Sequence, residues 1–154
     1  MPPPKKPEEA YEACLRKGYL KNKDQVNTER IISLAENAET HCNSAEILAK
    51  GLGQDAKGWI DVFTLYYQTL HTYAEALLLF EKMQSDNHQC LLAAVCIKFP
   101  ALELEWDFLE RIRTKRNGIN YYGEQITYQD WKSVKIQLKL YIATLKGEIK
   151  KRLA

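Results

Sequence analysis

Apolar positions along the chain fall into helical stripes. Between Thr28 and Lys50, Ile31, Ala35, Ala38, Cys42, Ala45 and Ala49 recur at steps of three and four, which places them on one helix face. Gly51-Leu-Gly53 follows as a terminator, so the spacing predicts a helix over 28–50. A second stripe, Val62, Tyr66, Leu70, Tyr73, Leu77 and Phe80, predicts a helix over 55–84. Its stretch Ala76-Leu-Leu-Leu-Phe80 is apolar nearly all round, so that end is expected to be buried on more than one side. The third stripe, Val134, Leu138, Tyr141, Leu145 and Ile149, predicts a helix over 127–153. Thr127-Tyr-Gln-Asp130 opens it in the pattern of a capping box.

Shorter elements fill the gaps. Pro7 and two acids begin a segment that ends in Lys17-Gly18, the polarity that helix ends favour. Residues 1–27 are therefore read as a short N-terminal helix and a linker, and 28–154 as a bundle domain. Ser85-Asp-Asn-His-Gln is a break and a restart, with Asp86 and Gln89 spaced like a capping box. A short apolar helix over 91–99 should follow, stopped by Pro100. Another is expected over 102–115, ended by Asn117-Gly118. Alternation with period two never extends beyond a few residues. The expected fold is all-α, an up-and-down bundle of four to six helices.

Composition narrows the class without naming a function. With 154 residues, 45 % of them hydrophobic and 27 % charged, the chain has the make-up of one ordinary globular domain. The longest apolar run, Leu91–Ile97, falls well short of the roughly 18 residues a membrane span needs. The first nine residues contain no hydrophobic segment, so no secretory signal is expected and a cytoplasmic location is. The Pro-rich start is expected to be mobile unless a neighbour holds it. Cysteines stand at 14, 42, 90 and 96 without a Cys-x-x-Cys pair, and His41 beside Cys42 has no partner at a zinc-like spacing. No metal and no cofactor are expected, and Cys42 and Cys90 are read as small core residues on apolar helical positions. No phosphate-binding Gly loop, His-Glu-x-x-His or Gly-x-Ser-x-Gly occurs.

Charge changes the picture more. The net charge is only +2. Residues 1–97 hold 10 Lys and Arg against 13 Asp and Glu, whereas 98–154 hold 12 against 7. The densest part is Arg111-Ile-Arg113-Thr-Lys115-Arg116, which runs into a Gly and two tyrosines. A solvated helix face is one reading of such a run, and an anion or RNA contact is the other.

Three stretches in order carry a family likeness. They are Tyr66-Tyr67 with His71-Thr-Tyr-Ala-Glu-Ala-Leu-Leu-Leu79, then Ser85-Asp-Asn-His88-Gln, then Leu109 to Gly123 with its Arg116-Asn117 and Tyr121-Tyr122. Together they resemble a HEPN domain of the archaeal type, over roughly residues 28–153. The resemblance implies a bundle of four or five helices, usually a homodimer. In many active HEPN members an arginine is followed, after four to six residues, by a histidine, and the two form a metal-independent RNA-cleaving site across the dimer. Other members partner minimal nucleotidyltransferases in toxin–antitoxin pairs, or bind nucleic acid or nucleotide.

This chain departs from that pattern. After four intervening residues Arg116 is followed by Tyr121, and no His occurs after His88. Imidazole, with a pKa near 6.5, exchanges protons at neutral pH, whereas a phenol near 10 stays protonated. A binding or regulatory HEPN partner is therefore the first expectation, engaging RNA, a nucleotide or a small nucleotidyltransferase. The alternative is a ribonuclease with Arg116, Asn117 and Tyr121 as catalytic residues at a dimer interface. Arg113, Lys115, Tyr122 and His88 are the candidate RNA- or nucleotide-binding residues. Each also has a plainer role open to it. Arg116 suits a surface ion pair with Glu110 or Glu124, Asn117 a helix cap, and the tyrosines loop packing. His88 suits the helix restart, while His41 and His71 are expected to be partly buried on long helices without a functional role.

Overall fold

Among the residues that the computed structural model describes, Pro4 and 6–154, six α-helices and one short two-stranded ribbon make up the regular structure. The expectation of mobility for the Pro-rich start concerns residues mostly outside those described. The helices are α1 (Pro7–Arg16), α2 (Thr28–Gly51), α3 (Trp59–Leu79), α4 (His88–Lys98), α5 (Trp106–Tyr122) and α6 (Tyr128–Leu153). The chain is an all-α helical bundle, and none of its described helices is long and apolar enough to cross a membrane.

Helix α3 is the axis of the bundle. It packs against α2 and α6 and, less extensively, against α4 and α5. Val62, Phe63, Leu70, Leu77 and Leu78 are fully sealed, and Tyr66 stacks on Trp131 of α6 with ring centroids 4.7 Å apart. The nearly all-apolar stretch at its end is buried through Leu79, as its pattern implies. Removing such side chains from water supplies roughly 1.5–3 kcal/mol each, which makes this contact the main source of cohesion. Amphipathic α2 and α6 need to cover only one face each. Accordingly α2 buries just Ile31, Ala38 and Ala45 fully, and α6 buries the predicted stripe together with Trp131 and Ile142.

Several boundaries differ from expectation, each for a local reason. Helix α3 begins at Trp59 rather than 55 because 53–58 form a turn closed by Ala56 N–H on Gly53 O, and the Trp59 indole N–H donates to the same carbonyl at 2.9 Å. It stops at Leu79 because Lys82 takes a left-handed conformation (φ 57°) that directs Met83–Gln84 (β2) into antiparallel pairing with Lys21–Asn22 (β1). This small ribbon is the one departure from pure helix. The restart of α4 lies at His88, and the cap is Asn87, whose side chain accepts from Cys90 N–H at 3.0 Å, not the Asp86–Gln89 pair. A one-turn 3-10 helix at Pro100–Leu102 delays α5 to Trp106, where Glu105 N–H donates to the Tyr141 hydroxyl at 2.8 Å.

The largest correction lies at the end of α5. Asn117-Gly118 does not terminate the helix; α5 continues to Tyr122 and ends at Gly123, which adopts φ 66°. Gly118 is instead a packing position, since its bare Cα lets the Glu124 carboxylate close over the helix where a side chain would collide with it. The Thr127–Asp130 capping box at the start of α6 is present with both hydrogen bonds, at 3.1 and 2.9 Å.

Cys90 is not a simple core residue either. It forms a disulfide with Cys14, which fastens α1 to α4 across 76 residues of chain. Helix α1 packs on α4, so the N-terminal segment lies against the bundle. Closing a loop of that length stabilises the fold by about 4 kcal/mol through lost freedom of the unfolded chain. Urea unfolding of the oxidised protein should therefore show a clearly higher midpoint than the protein in excess reductant, and Cys14→Ser should abolish the difference. Equal midpoints with and without reductant would mean that the bridge contributes nothing.

Candidate functional site

Residues from three helices converge beside the N-terminus of α4. On α3, Tyr67 and His71 stand one turn apart, the spacing that puts two side chains on one face. The Asn87 cap starts α4 just there and presents His88 to them. The imidazoles of His71 and His88 stack with centroids 3.9 Å apart, and the Tyr67 hydroxyl lies 2.9 Å from His88 Nδ1. From α5, the Arg116 guanidinium sits over the Tyr67 ring at 6.0 Å. With the Asn120 amide oriented so that its oxygen faces the guanidinium, it accepts from Arg116 Nε and Nη2 at 3.0 and 3.1 Å.

Protonation follows from this packing. Burial pushes the Tyr67 phenol up, against the pull of Arg116 and Arg113, so the hydroxyl keeps its proton in its hydrogen bond with His88 Nδ1. The hydroxyl donates to the tautomer with its proton on Nε2 and accepts from the tautomer with its proton on Nδ1. Burial, then the neighbouring His71, Arg116 and Arg113, push the His88 imidazole down to about 4. His71 is 8 % exposed, and neither of its ring nitrogens has a hydrogen-bond partner. Glu75 Oε1 lies 2.8 Å from His71 Nδ1, but out of line for a hydrogen bond, so this contact is a close approach of charge and dipole only.

The four cations of the basic run are in different situations. Arg113 is held by Glu110 through two bonds at 2.9 and 2.7 Å, and Gln89 of α4 donates to the same carboxylate at 3.1 Å. Lys115 Nζ lies 3.8 Å from Asp130, and Arg111 sits over the Phe108 ring. Arg116 has no carboxylate partner among the described residues, so the ion pairs with Glu110 or Glu124 that its sequence position allowed are not made. Its Nη1 donates to Asn117 Oδ1 at 3.3 Å. Asn117 does not cap a helix, because the helix runs through it.

Of the candidates read from sequence, the structure brings Arg116, Asn117 and His88 together and sets Tyr121 and Tyr122 apart. These two are 71 % and 81 % exposed and line an open groove with Arg113, Lys115 and Asn117. Sequence reasoning missed His71 and Tyr67. A signal was present in Tyr67 and His71 at a helical step of four, but only the tertiary contact with α4 gives it meaning. No protein-family model, curated protein or solved structure matches the chain.

Because His88 is neutral in the folded protein down to about pH 4 and near 6.5 when unfolded, the unfolded state binds more protons between those values. Stability should then fall as pH drops from 6.5 towards 4. Urea midpoints of the wild type and His88→Gln across that range should converge, the variant losing less on acidification. Parallel curves would contradict the assignment.

Proposed function

We propose that this chain is a HEPN-like bundle that binds the phosphate of RNA or a nucleotide at Arg116. The observation that carries the reading is a guanidinium with no carboxylate partner among the described residues, set near the stacked imidazoles of His71 and His88. A planar guanidinium matches two oxygens of a phosphate, and a protonated His88 Nε2 is a further donor. The exposed Tyr121 and Tyr122 offer faces on which bases stack, next to Lys115. The resemblance to HEPN domains adds the partners of the same reading, a second copy of this chain and a small nucleotidyltransferase. Ile136 and Leu140, one turn apart on α6 and both exposed, are apolar surface that such a partner would cover.

RNA cleavage is the second reading, and one observation favours it. The imidazole missing after Arg116 in the sequence is present in space, supplied by His88 and His71. Tyr121 is then an RNA contact and not the base.

Fluorescence anisotropy with a labelled single-stranded RNA tests both readings. Binding should weaken steadily with added salt, and Arg116→Ala should weaken it about tenfold, the loss of a charged hydrogen-bonding group. The same samples, held in EDTA, should yield no fragments, or fragments that vanish in His88→Gln and persist in Tyr121→Phe. Unchanged affinity in Arg116→Ala would remove the proposed site.

A further inference from the structure

We propose that the Arg116 site is built for a phosphoryl dianion, the terminal phosphomonoester of a nucleotide or an RNA end, and that His88 takes up a proton as it binds. This inference rests on the phosphate-binding reading and makes it specific.

The charges facing the imidazoles define the requirement. From α3 come Tyr67, His71 and Glu75; from α5 come Arg113, Arg116 and Glu110; on α4 itself Gln89 lies beside His88. Glu110 is already engaged by Arg113 and Gln89, and Glu75 approaches only His71. Arg116 thus keeps an unneutralised positive charge close to the two stacked imidazoles. In the free protein that charge, with burial, suppresses protonation of His88. A ligand carrying two negative charges reverses the local balance. One charge is matched by the guanidinium, and the other stabilises a proton on the imidazole.

The site can accept that proton without rebuilding. His88 Nδ1 and the Tyr67 hydroxyl are hydrogen-bonded at 2.9 Å, and a hydroxyl both donates and accepts. With both ring nitrogens protonated, the phenol offers its lone pair to the Nδ1–H and keeps its position. His71, stacked at 3.9 Å, sets a second polarisable ring against the imidazole that gains the charge. A phosphodiester has a single negative charge and is matched by Arg116 alone. It gives no comparable drive for proton uptake. The preference for an end over an internal linkage follows from charge and needs no enclosed pocket.

Isothermal titration of the intact protein with four probes tests this: adenosine 5′-monophosphate, cyclic 3′,5′-adenosine monophosphate, and an RNA hexamer with and without a 5′-phosphate. At pH 6 the two monoesters should bind about tenfold tighter than their partners without one, and the gap should narrow at pH 8. Comparison of the nucleotide with the phosphorylated hexamer then distinguishes a free nucleotide from an RNA end as the natural source. In two buffers of different ionisation enthalpy, wild type should take up more protons per bound monoester than His88→Gln. The discrimination between probes is read on the wild type, so it stands even if a variant folds poorly. Equal binding of monoester and diester, both lost in Arg116→Ala, would overturn the dianion proposal and leave phosphate binding intact. Proton uptake unchanged in a folded His88→Gln would overturn the role of His88. Failure of all four probes to bind at low salt would overturn both this inference and the function on which it rests.

Discussion

The burial of most of α3 is the constraint on which the rest of the structure depends. Fifteen of its 21 residues are buried, and each polar side chain among them must find a partner inside the protein or remain as an energetic cost of about 1–3 kcal/mol. Thr69 meets the requirement locally, its hydroxyl donating to Leu65 O at 2.8 Å. Tyr67 meets it across the bundle, through His88. His71 does not meet it. Its ring nitrogens are buried without an aligned hydrogen bond, the Glu75 carboxylate lies 2.8 Å from Nδ1, and the His88 imidazole stacks on its face.

Placement of that cluster depends on elements distant from it in sequence. His88 faces α3 because α4 starts at Asn87. The start is held by Ser85, whose hydroxyl donates to Tyr19 O at 2.7 Å and accepts from Asn87 N–H at 3.1 Å. The β1–β2 ribbon and the Cys14–Cys90 bridge tie the same corner to the N-terminal segment. Segment 7–27 therefore acts as a clasp on the turn that presents His88. From the other side, Gln89 reaches the Glu110–Arg113 pair, which fixes the separation between α4 and the basic helix.

The bundle was legible in the chain because its cause is local. Stripes such as Val134, Leu138 and Tyr141 need only one period and one buried face, and the Thr127–Asp130 box needs only four consecutive residues. Asn117-Gly118 misled because the same dipeptide that ends helices also suits a crowded helix interior, and only Glu124 folding back distinguishes the two. The Cys14–Cys90 pair was hidden by its spacing, since a bridge across 76 residues is a fact of topology and not of pattern. The candidate site was half legible. Arg116, Asn117 and His88 could be singled out by residue type, but no imidazole follows Arg116 along the chain. The imidazoles reach that arginine through space, from two other helices. Tyr121 and Tyr122, close to Arg116 in sequence, stand exposed on the last turn of α5, in the groove with Lys115.

The central claim is that Arg116, His88 and His71 form one electrostatic unit that an anion completes. NMR titration of the ring C–H resonances of the three histidines measures it directly, with and without adenosine 5′-monophosphate. The account predicts one imidazole, assigned to His88 by its absence in His88→Gln, that titrates near 4 in the free protein and moves upward when the ligand is present. A His88 that titrates near 6.5 and is indifferent to the ligand would contradict it.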